Sequence, residues 1–152
     1  MLQLGIRNIR DTMDIEECIP VEVEKLIEGG TLLKNLLQDC KEKRTISAIR
    51  NIKYSKGNCT FELFEDKKIN CRYFDSIVPC AFFIIECVGV TQISQEVTGD
   101  IEYYDYAEIK FSVNKLSDKI LVSFSYIHEY TQNKLFFVES EKMKLVKYKI
   151  QY

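Results

Sequence analysis

The spacing of apolar positions changes once along this chain, near Thr45. Before it, Leu32, Leu33, Leu36, Leu37 and Cys40 fall at i, i+1, i+4, i+5 and i+8, which is one wide apolar stripe at helical period. Lys41, Lys43 and Arg44 follow, where the helix dipole favours cations. The spacing predicts a helix over 32–43 with Thr31 as its N-cap. Upstream, Pro20 suits the first position of a shorter helix, with Glu22 and Glu24 in its first turn. Gly29-Gly30 ends that helix. Met1–Ile9 alternates briefly and reads as a short strand, and Asp11–Glu17 as a polar turn.

From Thr45 onward the period is two. Ile46–Tyr54 reads as a strand, Ser55-Lys56-Gly57-Asn58 as a turn by its chemistry, and Cys59, Phe61 and Leu63 as the inward side of the next strand. Asp66-Lys67-Lys68 reads as a loop, followed by a short strand carrying Ile69, Cys71 and Tyr73. Thr91–Gly99 is a polar connection. Ile101–Val113 alternates most cleanly, with Ile101, Tyr103, Asp105, Ala107, Ile109, Phe111 and Val113 on one face. After a loop at Asn114–Ser117, Ile120, Val122, Phe124, Tyr126 and His128 form another inward face. Thr131-Gln132-Asn133 is a turn, Leu135–Val138 a strand and Met143–Ile150 the last strand. In that strand the apolar phase moves from odd positions (Met143, Leu145) to even ones (Val146, Tyr148, Ile150), which predicts a bulge at Leu145-Val146.

The longest apolar run, Val78–Val90, is broken only by Glu86. It is shorter than the roughly 20 residues that cross a bilayer as a helix, and Pro79 and Gly89 interrupt it. Phe82, Phe83, Ile84 and Ile85 are consecutive, so the run reads as a central strand buried on both faces. Pro79 fits its start and Gly89 a bend at its exit. The order, a helical region followed by about seven strands on mostly short turns, predicts one α+β domain over 1–152. Its N-terminal helical segment packs on a curved, mostly antiparallel sheet, roll-like or sandwich-like.

Composition adds little to this picture but excludes some classes. With 46% hydrophobic and 29% charged residues in 152, the chain has enough apolar material to bury a core and is not of the disordered type. A net charge of −2 supplies no global basic field for nucleic acid. The N-terminus lacks a basic segment followed by an apolar core, so the expected location is cytoplasmic, away from membranes. The six cysteines are then expected as reduced thiols. None has the Cys-x₂-Cys spacing of a zinc or redox motif, and a lone histidine completes no Cys₂His₂ site. No metal or cofactor is expected.

Two groups of residues carry candidate chemistry. If a four-residue loop joins the strands 101–113 and 120–128, Ile109 faces Val122, Asp105 faces Tyr126 and Tyr103 faces His128. Tyr103, Asp105, Tyr126 and His128 then cluster at one end of an apolar surface. An aspartate beside a histidine can charge and orient it for acid–base work; the alternative is a buried polar knot whose members satisfy one another. The second group is acidic. Glu96, Asp100, Glu102, Asp105 and Glu108 precede Lys110, and Tyr104 and Tyr106 share a face with Glu102 and Glu108. Carboxylates steer a basic partner, and aromatics anchor interfaces. Lys142, Lys144, Lys147 and Lys149 form a basic C-terminal run, read as a lysine-lined edge.

No stretch carries a family motif. The general plan, a compact acidic-faced domain, is similar to that of bacterial toxin-immunity proteins, which bind and block one partner. The leading expectation is a non-enzymatic protein-binding module, of immunity type, using Glu102, Tyr104, Tyr106 and Glu108. The alternative is a small-ligand binder or enzyme with an apolar pocket edged by Asp105, Tyr126 and His128. A homo-oligomer formed through a sheet edge is the third.

Overall fold

The computed structural model describes residues 18–70, 72–73, 75–96, 98–102, 109–128 and 131–151. The expected strand at Met1–Ile9 and turn at Asp11–Glu17 lie outside them. The elements are α1 (Val21–Glu24), β1 (Ile27–Glu28), α2 (Gly30–Glu42), β2 (Thr45–Ser55), β3 (Asn58–Asn70), β4 (Asp75–Gln95), β5 (Ile109–Leu116), β6 (Lys119–His128) and β7 (Thr131–Ile150). The strands form one open, mostly antiparallel sheet of seven in the order β2-β3-β4-β7-β6-β5, with β1 pairing parallel to β7.

Helix α2 lies where the apolar stripe predicts, and its Leu33, Leu37 and Cys40 are buried. Its N-cap is Gly29 in the left-handed region (φ 78°), two residues earlier than Thr31. The turn between β2 and β3 is Lys56-Gly57, both at positive φ, the backbone that suits the twist of a two-residue hairpin.

Several strands are longer than the polarity pattern suggests. β3 continues through Asp66, Lys67 and Lys68, expected as a loop, to Asn70, pairing on one side with β2 and on the other with β4. β4 runs on through Thr91 to Gln95, paired with β7. β7 is continuous across 139–142, where two strands are expected. In each case the ladder satisfies the backbone N–H and C=O groups whatever the side chains are, so polar residues on an exposed face do not end a strand.

Irregularities fall at identifiable residues. Pro79 lies within β4, opposite Asp66, where Cys80 is an extra residue in the ladder. A proline with no N–H is tolerated at such a bulge. The Cys80 carbonyl instead accepts from the Gln151 N–H at 2.7 Å. Gly89, at φ 71°, bends β4; a Cβ there would stand 2.9 Å from Glu141 Oε2. The bulge expected at Leu145-Val146 is present: Ile84 pairs with Lys147 and Ile85 with Leu145, leaving Val146 as the extra, 53% exposed residue.

The two halves of the sheet face each other across one core. Phe61 of β3 meets Phe124 of β6 edge-on at 5.3 Å and Phe136 of β7 at 5.8 Å. Phe111 stacks on Phe124 at 4.9 Å. All four rings are buried. Near the open margin, Ile49 of β2 exchanges two 2.8 Å backbone hydrogen bonds with Ile101, and the Val113 N–H donates to the Cys18 carbonyl. Ile101 is thus an isolated bridge to β2, and the described residues of β5 run from Ile109 to Leu116.

The Val78–Val90 run is a central strand, and among the described residues it is covered on one side. Phe83, Ile85 and Cys87 are fully buried in the core with α2 and the inward faces of β5 and β6. Phe82, Ile84 and Val88 point to the outer face and are half-buried. The helix and the later strands both lie on the inner side, because the sheet bends back on itself.

Candidate functional site

The histidine-containing cluster rests on a register that the chain does not adopt. The turn after β5 is Ser117-Asp118, two residues long, and Ile109 pairs with Tyr126 where Val122 is expected. Tyr126 therefore has Ile109 opposite it in place of Asp105. Tyr103 and Asp105 lie outside the described residues. His128 ends β6 opposite Thr131.

Of the acidic, tyrosine-bearing group, Tyr104, Tyr106 and Glu108 also lie outside the described residues. Glu102 is described, and its carboxylate takes a two-pronged grip from Arg50 of β2, with Nε–Oε1 at 2.8 Å and Nη2–Oε2 at 2.9 Å. Its side chain is 13% exposed. Paired in this way it holds Arg50 in place, the geometry in which guanidinium and carboxylate are matched best.

Arg50 leads to a surface that sequence reasoning missed. Its guanidinium lies 4.5 Å from the centroid of the Phe64 ring, and Phe64 stacks on Phe82 of β4 with centroids 5.7 Å apart and planes 21° from parallel. Glu102, Arg50, Phe64 and Phe82 form a ladder across β2, β3 and β4. Phe64 and Phe82 pair directly in the β3–β4 register, which puts both rings on the outer face. A cleft of about 300 Å³ opens there between Arg50, Phe64, Pro79, Phe82 and Lys149. Asp66 also lines it. Burial pushes its carboxyl above the ordinary range, with Arg50 pulling the other way. The available signal was parity, since Phe64 is out of step with Cys59, Phe61 and Leu63 and so belongs to the other face.

The C-terminal lysines share this face. Lys142, Lys144, Lys147 and Lys149 pair with Val88, Glu86, Ile84 and Phe82, the outward residues of β4. The first two are even-numbered and the last two odd. Only the extra residue Val146 brings them onto one side. Lys144 pairs with Glu86 at 3.0 Å, a contact that raises the lysine pKa. Lys142, Lys147 and Lys149 are exposed.

The interior holds ionisable groups of a different kind. Cys18, Cys40, Cys59, Cys80 and Cys87 are buried. Cys59 lies directly opposite Cys87 in the β3–β4 ladder. Burial pushes the Cys40, Cys59 and Cys87 thiols up to about 12, so they are neutral and unreactive near neutral pH. Glu65, 1% exposed, accepts from Thr45 Oγ1 at 2.8 Å and from Ser47 Oγ at 3.0 Å. Burial raises its carboxyl above the ordinary 4.5, while Lys41 and the two hydroxyls act in the opposite direction.

A carboxyl with a raised folded pKa binds more protons folded than unfolded. Its contribution to stability is complete below 4.5 and is lost as pH rises toward the folded value. Glu65→Gln is expected to remove that loss, stabilising the protein near pH 8 while changing little near pH 4. Urea unfolding at the two pH values checks this; parallel pH profiles for the two proteins would contradict it.

Among the described residues, no three His, Cys, Asp or Glu side chains are grouped to hold a metal ion, and no helix is long and apolar enough to cross a membrane. Comparison of the chain with protein-family models, curated proteins and solved structures finds no match.

Proposed function

We propose that this chain is a non-enzymatic protein-binding module that works through the outer face of β2, β3, β4 and β7. The observation that carries this reading is the ladder of Arg50, Phe64 and Phe82. These half-buried aromatics stand on a sheet face with an anchored arginine beside them. Interface hot spots are enriched in aromatic and arginine side chains, and a rigid strand scaffold presents them at little entropic cost. Glu102, expected from the sequence as a contact residue, serves this face by fixing Arg50. An immunity-type inhibitor, which blocks a single partner by covering its surface, is the form of module this face suits.

Substitution separates this face from the segment first expected to bind. Phe82→Ser combined with Lys149→Glu is expected to abolish capture of the native partner, with the far-ultraviolet circular dichroism unchanged. Tyr104→Ala combined with Glu108→Lys tests the acidic segment in the same assay. Undiminished capture by the Phe82→Ser/Lys149→Glu variant would rule out the outer face.

A further inference from the structure

The outer face has a charge pattern as well as an aromatic centre, and the two together define what it fits. We propose that the face recognises an extended acidic segment of a partner protein, carrying one large apolar side chain that enters the cleft between Phe64, Phe82 and Pro79. This rests on the reading of the outer face as the binding surface.

The acidic component follows from the bulge at Val146. Without it, Lys147 and Lys149 would lie on the opposite side from Lys142 and Lys144. With it, all four flank the outward side of β4. Lys144 is engaged by Glu86, and Lys142, Lys147 and Lys149 stand exposed beside half-buried Ile84 and Phe82. Alternate residues of a strand lie roughly 7 Å apart on one face. Alternate side chains of an extended peptide have the same spacing, so glutamates at every second position match Lys147 and Lys149.

The apolar component follows from the cleft. Its volume of about 300 Å³ has room for one ring or branched aliphatic group. Phe64, Phe82 and Pro79 supply its apolar wall, and Arg50, Asp66 and Lys149 line it as well. An apolar anchor followed by an acid would fill the cleft and meet Lys149 together.

A nucleic acid fits less well. Glu62, Glu86 and Glu102 lie on or beside the same face, and the chain as a whole carries a net charge of −2. A phosphate chain with a charge on every nucleotide would pass these carboxylates. A peptide can place its few carboxylates against the lysines alone.

The test uses the full chain and a fluorescein-labelled peptide of about a dozen residues, with glutamates alternating around a central phenylalanine. Fluorescence anisotropy is expected to show saturable binding that weakens as salt is added. Lys147→Glu/Lys149→Glu, two exposed positions that leave the fold intact, is expected to weaken it by about tenfold or more. Replacing the peptide's phenylalanine by glycine is expected to weaken it comparably. Absence of binding to the wild-type chain, equal binding by the charge-reversed chain, or tighter binding of a labelled oligothymidylate would each overturn the proposal. If capture of the native partner is still lost in Phe82→Ser/Lys149→Glu when the peptide fails, the outer face stands and only the acidic-segment assignment falls.

Discussion

Phe124→Ala is expected to destabilise the protein by about 3–5 kcal/mol, the range for truncating a fully buried phenylalanine. The reason lies in where the ring sits. Phe124 is fully buried and touches Phe61, Phe111 and Phe136, which belong to β3, β5 and β7, with centroids between 4.9 and 5.8 Å away. It joins the two halves of the bent sheet where rings from both meet. Removing it opens a cavity that neither half can close alone, because each is held by its own ladder. Domains of this kind have about 5–15 kcal/mol in total, so the variant is left with a large share of its stability gone. Phe64→Ala, on the outer face, is expected to cost about 1 kcal/mol, since part of that ring is already in water. Urea denaturation of the two variants side by side measures the difference; equal costs would mean that the halves do not depend on the Phe61–Phe124 contact.

Gly30→Ala is expected to destabilise by about 3 kcal/mol, at the upper end for overpacking. Helix propensity alone would give the opposite sign, because alanine is about 1 kcal/mol better than glycine within a helix. The contact decides. A Cβ on Gly30 would lie 2.2 Å from the Glu24 carbonyl oxygen and 3.0 Å from Ile27 Cβ. The first of these is backbone and cannot swing aside. The close approach exists because α1 ends against the first turn of α2, with β1 between them pairing to β7. Gly57→Ala is the control: nothing lies within 4 Å of its Cβ, and its cost is the positive φ alone, about 1 kcal/mol. Thermal melts of both variants give the comparison, and a Gly30→Ala protein as stable as the wild type would contradict the packing described for α1 and α2.

The parts of the fold legible in the sequence are those fixed by local pattern. The stripe of α2, the Lys56-Gly57 turn, the strand character of Val78–Val90 and the bulge at Val146 each depend on a few adjacent residues. Register was not legible. Pairing Ile109 with Val122 or with Tyr126 keeps both inward faces inward, because the two registers differ by an even number of residues. Alternation alone cannot choose between them. The choice fell to turn length, and Ser117 accepts a positive φ of 59° that allows a two-residue turn. The candidate surface was hidden for a related reason. Phe82 and Ile84 read as core because an apolar run implies burial on both faces, and whether a layer covers the second face depends on how the sheet bends. The lysines were visible as a run, but that they share a side with Phe82 follows only from combining the bulge with the β4–β7 register.

The proposed working surface is the outer face of β2, β3, β4 and β7. Lysine acetylation footprinting of the free chain and of its complex with the captured partner tests it most directly. Lys142, Lys147 and Lys149 are expected to react readily in the free chain and to be protected in the complex, while Lys115 on β5, exposed on another part of the molecule, reacts equally in both. Protection of Lys115 with undiminished labelling of Lys147 and Lys149 would contradict it.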